Sequence, residues 1–318
     1  MTWMRCWTMN KEKNFVSSVI YVRNAANSIA DFLGMVMNVM QINFEHSEII
    51  CVNDCSEDNS TDIIRETARS AETVSISIVN LSCFHGLEPA MNAGVDLAIG
   101  DFVFEFDRPV RDFDEGLIME VYHHSLRGYD IVSASPERKE RTSSRFFYKV
   151  FERYSNMSYK MTTERFRILS RRVINRIGAA NRSIPYRKAI YAASGLKSDT
   201  ITYHSAEGIS DPIDRREQRY RMDLAADSLI LFTELGYRFS IFMTIMMMIL
   251  SVFMILYTLI VYFFIHPIEG WTTTVLFLSA AFFGLFGILT IIVKYLQIIL
   301  NMIFKRRQYT FESIEKIS

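Results

Sequence analysis

Glycine and proline are scarce, 13 and 6 in 318 residues, which excludes collagen-like sequence and long disordered linkers. Cysteine is scarcer still. Cys6, Cys51, Cys55 and Cys83 are too few to staple a chain of this length. A charge excess of either sign is missing: 35 Lys and Arg balance 35 Asp and Glu, so no nucleic-acid partner is expected, because phosphate contacts demand a basic surplus. The opening stretch MTWMRCWTMNKEKN lacks an apolar core and a small-residue cleavage pattern, so it is not expected to act as a secretory signal. No internal repeat is found. The length suits one domain of around 200 residues with an accessory part.

Charge is absent altogether from 241 to 265, and again from 271 to 293. At 25 and 23 residues, each run is long enough to cross a hydrocarbon layer of about 30 Å as a helix. The five-residue link from His266 to Gly270 makes the expected pair an antiparallel hairpin. Arg215, Arg216, Arg219, Arg221 and Arg238 precede it, and Lys294, Lys305, Arg306 and Arg307 follow, while the link holds no Lys or Arg. The positive-inside rule then places both long ends in the cytoplasm, at the inner membrane of the cell. Two apolar helices without interior charge offer no polar path, which disfavours a transporter. In a reducing compartment the four cysteines are expected as free thiols. A zinc site from Cys51, Cys55, Cys83 and His85 is a weak alternative, since Cys51 sits inside an apolar run.

Short β-rich runs occur at 15–22, 48–53, 74–81, 101–106 and 129–134, and segments of helical spacing at 25–39, 60–71, 87–99 and 115–127. This alternation predicts an α/β fold with a mostly parallel sheet covered on both faces. Ligands of such sheets bind beyond the carboxyl ends of the strands. The segments to inspect are Arg23 with Asn24, Asn53 to Ser56, Ser82 to Gly86, and Asp107 to Asp112. The stretch SPERKERTSSRFFYKVFERYSN, 135–156, reads either as a solvated amphipathic helix or as a basic, aromatic surface for anionic lipid. His123 and His124 have no partner pattern and read as surface residues. Residues 219–237 read as an interfacial helix.

Several segments in order resemble the family 2 glycosyltransferases of the polyprenyl-phosphate type, which include dolichyl-phosphate mannose synthase and the bactoprenol glucosyltransferases. VIYVRNAANSIADFL is similar to the first strand and its turn, EIICVNDCSEDNSTDII to the acidic second strand end, and HGLEPAMNAGVDLAIGDFVFEFD to the stretch ending in a metal-binding Asp-x-Asp. ERFRILSRRVI resembles the acceptor-side segment, RREQRYRM the basic element before the membrane, and KRRQYTFESI the ending. The resemblance implies a GT-A, Rossmann-like domain over 1–212, an interfacial region over 213–239, a two-helix hairpin within 240–293 and a juxtamembrane tail over 294–318. It departs at the site. Ala25, Asn53, Pro109 and Arg165 stand where the family has acidic residues.

What the resemblance implies for chemistry is transfer of a sugar, with inversion, from a nucleotide-sugar to polyprenyl phosphate on the cytoplasmic face. Asn24, Asn53, Asp54, Ser56 and Gly86 are the implied nucleotide-sugar residues. Asp107, Arg108 and Arg167 are the implied catalytic set, and Arg215, Arg216 and Arg219 the lipid-phosphate set. Negative charge grows on the departing diphosphate, so a cation must meet it. Either Mg2+ or Mn2+ held by Asp107 and Asp112, or the guanidinium of Arg108, can supply that cation. Expected partners are the nucleotide-sugar, the lipid phosphate and the bilayer, with self-association left open. The alternative is a catalytically silent relative that binds lipid or scaffolds another transferase.

Overall fold

The computed structural model describes residues 11–71, 73–137, 164–179, 186–205, 215–232 and 311–317, with scattered helical positions between 242 and 299. It divides into two compact units. The first comprises Met1–Glu152, Met157–Leu224 and Arg307–Ser318, and the second Arg153–Asn156 with Ala225–Arg306. The chain end expected as a juxtamembrane tail therefore belongs, from Arg307 onward, to the first unit.

That unit is built by strands and helices in alternation: β1 (Val16–Val22), α1 (Ile29–Asn43), β2 (Ser47–Asn53), α2 (Ser60–Ala68), β3 (Ser75–Leu81), α3 (Leu87–Leu97), β4 (Phe102–Phe106), α4 (Gly116–Ser125) and β5 (Ile131–Pro136). These nine elements follow the sequence periodicity closely. Beyond them come β6 (Phe166–Ser170), α5 (Arg171–Ala179), α6 (Arg187–Ala193), β7 (Ser198–Tyr203), α7 (Arg215–Phe232) and β8 (Phe311–Lys316).

The eight strands form one sheet in the order β7-β5-β6-β4-β1-β2-β3-β8. Its centre, β4-β1-β2-β3, is parallel, whereas β6 runs antiparallel to β4 and β5, and β8 antiparallel to β3. Each parallel strand is buried along most of its length because helices cover both of its faces. Ile20, Ile49, Ile78 and Phe104 pack towards α1, α2 and α4, and their neighbours Val19, Ile50, Val79 and Val103 pack towards α3. That alternation is the period of two inherent in a pleated strand.

From β1 the chain winds outward through β2 and β3, then returns to lay β4 on the other side of β1. The reversal opens a crevice beyond the carboxyl ends of β1 and β4, where ligands of open α/β sheets bind. The mostly parallel α/β fold of the sequence reading is thus present. The expected spans at 241–265 and 271–293, and the basic stretch beyond Glu137, fall mainly outside the described residues. Among the described residues no helix is long and apolar enough to cross a membrane.

Candidate active site

On one side of the crevice the carboxyl ends of β1, β2 and β3 are tied largely by hydrogen bonds between neutral groups. Asn24 and Cys55 have positive φ, 46° and 55°, which turns each loop sharply back over its strand. The Asn24 backbone N–H donates to Ser56 Oγ at 3.1 Å, and Glu57 N–H returns a bond to Asn24 Oδ1 at 2.8 Å. Asn53 accepts from Ser56 N–H at 3.0 Å and donates to Asn80 Oδ1 at 2.9 Å. Asn24, Asn53 and Ser56 are therefore brought together as the sequence pattern suggested, on two adjacent loops.

Asp54 has a different role from an open ligand contact. It is fully buried, accepts from Tyr21 Oη at 3.0 Å, and takes the backbone N–H groups of His85 and Gly86 at 2.8 and 2.9 Å. The carboxylate thus occupies the positive end of α3, where free N–H groups would otherwise bind an external anion. Burial pushes its carboxyl pKa up, opposed by those two N–H donors. Gly86 is needed for a local reason: its φ is 90°, and a Cβ there would lie 2.4 Å from the ring of Tyr220 on α7. Phe84, beside it, is overlaid by the guanidiniums of Arg23 at 4.8 Å and Arg216 at 5.5 Å. Arg216 and Arg219 are exposed; Arg215 begins the helix, with its side chain outside the description.

Across the crevice the groups are ionised and buried. Asp107 follows β4 and receives Arg167 Nη2 at 2.9 Å on one oxygen and Arg187 Nη2 at 3.0 Å on the other. Arg167 also pairs with Glu105 at 3.2 Å and Glu164 at 3.1 Å, and Arg187 with Glu105 at 2.9 Å and Glu88 at 2.8 Å. Tyr191 Oη donates to Glu105 at 2.8 Å. Both arginines are essentially inaccessible to solvent. Burial alone would raise the Asp107 carboxyl, but Arg167 and Arg187 together hold it at about 2. Arg167 was expected in the catalytic set; its guanidinium faces three carboxylates of the protein, so its immediate action is to hold Asp107.

Of the departures from the family pattern, Arg165 is paired with a nearby acid. Arg165 binds Asp112 through Nε at 2.8 Å and Nη2 at 2.6 Å, and Tyr203 Oη donates to the other Asp112 oxygen at 3.2 Å. Arg108 pairs with Glu217 of α7. Pro109 offers no side-chain donor. Asp107 and Asp112, the expected metal ligands, are thus engaged by separate arginines, and among the described residues no group of three or more acidic, His or Cys side chains is placed to hold a metal. As arranged, this donor set does not fit Mg2+ or Mn2+. The zinc alternative fares no better: Cys51 is fully buried within β2, and the described residues bring no such group together.

The sequence reading missed Glu88, Glu105, Arg187 and Tyr191, which make most of the buried cluster, and Asn80 on the neutral side. Glu105 carried the one available signal, an acid inside the aromatic run FVFEF, since a buried carboxylate requires partners. His124, read as a lone surface residue, pairs with Asp199 at 2.8 Å.

A mostly parallel sheet with polar loops gathered at its switch point defines an open α/β class of fold whose ligands bind at that point. Residues 17–181, just over half of the chain, match the family described as Glycosyl transferase family 2. The chain belongs to that family. It is 30% identical over 203 residues to the prophage bactoprenol glucosyl transferase homolog of Escherichia coli (strain K12), covering 61% of this chain and 65% of that protein. Over 194 residues it is 29% identical to the glycosyltransferase sll0501 of Synechocystis, covering 59% and 60% respectively. The chain thus spans less than two thirds of the length of these relatives. Among solved structures it is similar to mannosyl-3-phosphoglycerate synthase from Rubrobacter xylanophilus, with a TM-score of 0.49 at 16% identity, over 68% of this chain and 74% of that one.

Proposed function

We propose that the chain transfers a glycosyl group from a nucleotide-sugar to a polyprenyl phosphate at the cytoplasmic face of a membrane, with inversion at the anomeric carbon. The observation that carries this reading is the crevice itself: in a family 2 chain, the loops bearing Asn24, Asn53 and Ser56 and the loop bearing Asp107 and Arg108 both open at the β1/β4 switch point. A bactoprenol name on the Escherichia coli relative supports the lipid acceptor. Exposed apolar residues on described helical positions, Phe242, Met246, Ile249 and Phe253 among them, support a lipid-facing surface.

In this reaction an acceptor phosphate oxygen forms the new bond to the anomeric carbon as the bond to the nucleoside diphosphate breaks. The acceptor is already anionic near neutral pH, so it needs little help from a general base. Loss of an acidic residue at Arg165 is tolerable on that account. Arg108 is the cation placed to meet the departing diphosphate, exchanging Glu217 for phosphate oxygens. Asp107, held by Arg167 and Arg187, fixes the floor of the crevice, and Arg216 and Arg219 are the exposed cations for the lipid phosphate.

One observation favours a second reading, a silent lipid-binding partner of another transferase: Asp54, Asp107 and Asp112 are all satisfied by the protein's own donors. One experiment separates the two. Radiolabelled UDP- and GDP-sugars are offered with polyprenyl phosphate, with and without chelator, to the full-length protein and to Asp107→Ala. Label entering organic-extractable lipid with the parent and not with the folded variant is the expected result. No transfer from any donor by folded parent protein sinks the enzyme reading in favour of the silent partner.

A further inference from the structure

Val22, Asn53, Asn80 and Ser313 stand abreast across β1, β2, β3 and β8. The last three are joined in series. Asn53 Nδ2 donates to Asn80 Oδ1 at 2.9 Å, and Asn80 Nδ2 donates to Ser313 Oγ at 2.9 Å, although 233 residues separate that second pair. The strand register shifts beside this point, since Asn80 faces Ser313 but Leu81 faces Phe311, skipping one residue. Such a bulge re-aims the adjoining side chains.

The direction of this relay is forced. The Ser56 backbone N–H, which starts it, can only donate, so Asn53 must turn its carbonyl oxygen towards it. The amide nitrogen of Asn53 is then left to donate to the Asn80 oxygen, and Asn80 has only its own NH2 group left for β8. Whatever stands at 313 must therefore accept. The serine hydroxyl does so. Asn53 and Asn80 are both nearly closed to solvent, so neither amide finds water as an equal substitute. The bonds spend one of the two Asn53 Nδ2 hydrogens, and the second is a neutral donor beside the Asn24–Ser56 loops.

We propose that Ser313 is a positioning residue of the donor site: through Asn80 it holds Asn53 in the one amide orientation that presents an N–H to a carbonyl or ring-nitrogen acceptor of a nucleobase. The proposal rests on the nucleotide-sugar reading above. It makes the C-terminal strand, reached only after the apolar segments, part of nucleotide selection. A neutral amide in place of an acid then becomes a choice of acceptor edge.

The test is calorimetric binding of UDP, GDP, CDP and ADP to the full-length protein in detergent, comparing the parent with Ser313→Ala, Ser313→Thr and Glu315→Gln. Ser313→Ala is expected to weaken the preferred nucleotide about tenfold and to flatten the ranking among the four, the effect of leaving one buried amide without an acceptor. Ser313→Thr keeps the acceptor and should stay within about twofold of the parent. Glu315→Gln removes the Arg65 ion pair from the same strand and should leave the ranking intact. Parent-like binding by Ser313→Ala overturns the proposal, as does an equal loss in Glu315→Gln or a failure of threonine to rescue. If the folded parent binds none of the four, the donor reading fails and takes the proposal with it; binding by the parent with an unmoved Ser313→Ala defeats the proposal alone.

Discussion

The two sides of the crevice are held by different physics. On the β1–β3 side, apart from the buried Asp54 carboxylate and the Arg23–Glu57 pair, neutral amides, hydroxyls and backbone groups satisfy one another, each bond contributing on the order of 1 kcal/mol net. On the β4–β6 side, Arg167 and Arg187, themselves closed to water, lie among four largely buried carboxylates. There the desolvation of each ion is repaid only by all of its partners together. Losing a member costs the neutral side one or two bonds, whereas the charged side is close to all or nothing. The departures from the family pattern follow the same division: Asn53 joins an amide chain, and Arg165 acquires an acid.

The sharpest break in this comparison is Arg187→Met. It leaves Glu88, Glu105 and Asp107 short of a cation and is expected to cost about 3–5 kcal/mol, read from urea unfolding of the purified protein. Next, Asp107→Asn tests the charged side through pH. The folded carboxyl sits near 2, below its unfolded value of about 3.9. It therefore contributes stability above about pH 4 that is lost as pH falls towards 2. The parent should be roughly 2–3 kcal/mol more stable than Asp107→Asn near neutrality, and that gap should close at acid pH; a gap that persists at pH 2 would contradict the ion pairs. On the neutral side, Asn80→Ala strands one donor on Asn53 and removes the β8 contact, for about 1–3 kcal/mol with no acid-side pH dependence. The smallest effect is expected for Arg65→Ala, which breaks the half-exposed pairs to Glu315 and Asp62. It should cost under about 1 kcal/mol and vanish in high salt.

Strands β1 to β5 and the four helices between them were legible because both of their apolar periods are local properties of the chain. The donor loops were legible for the same reason, since strand ends in an alternating pattern mark themselves. The charged cluster was not. Glu88, Glu105, Glu164, Arg167 and Arg187 come from five separate elements or loops, and nothing in their spacing says that they meet. Strand β8 escaped notice because its partner lies more than 200 residues upstream, and FESIEK, with three charges in six residues, reads like any exposed tail.

By itself, then, the sequence determined the layered α/β class, the order of the central elements, the loops that border the crevice and the charge-free runs that follow. Those depend on hydrophobic period and turn chemistry, which a chain carries residue by residue. Only the tertiary structure decided that Asp54 serves α3, that Asp107 and Asp112 are claimed by different arginines, and that Ser313 terminates a hydrogen-bond relay begun at Ser56. The physical reason is that a buried polar group is defined by its partners, and partners are brought together by topology rather than by spacing along the chain.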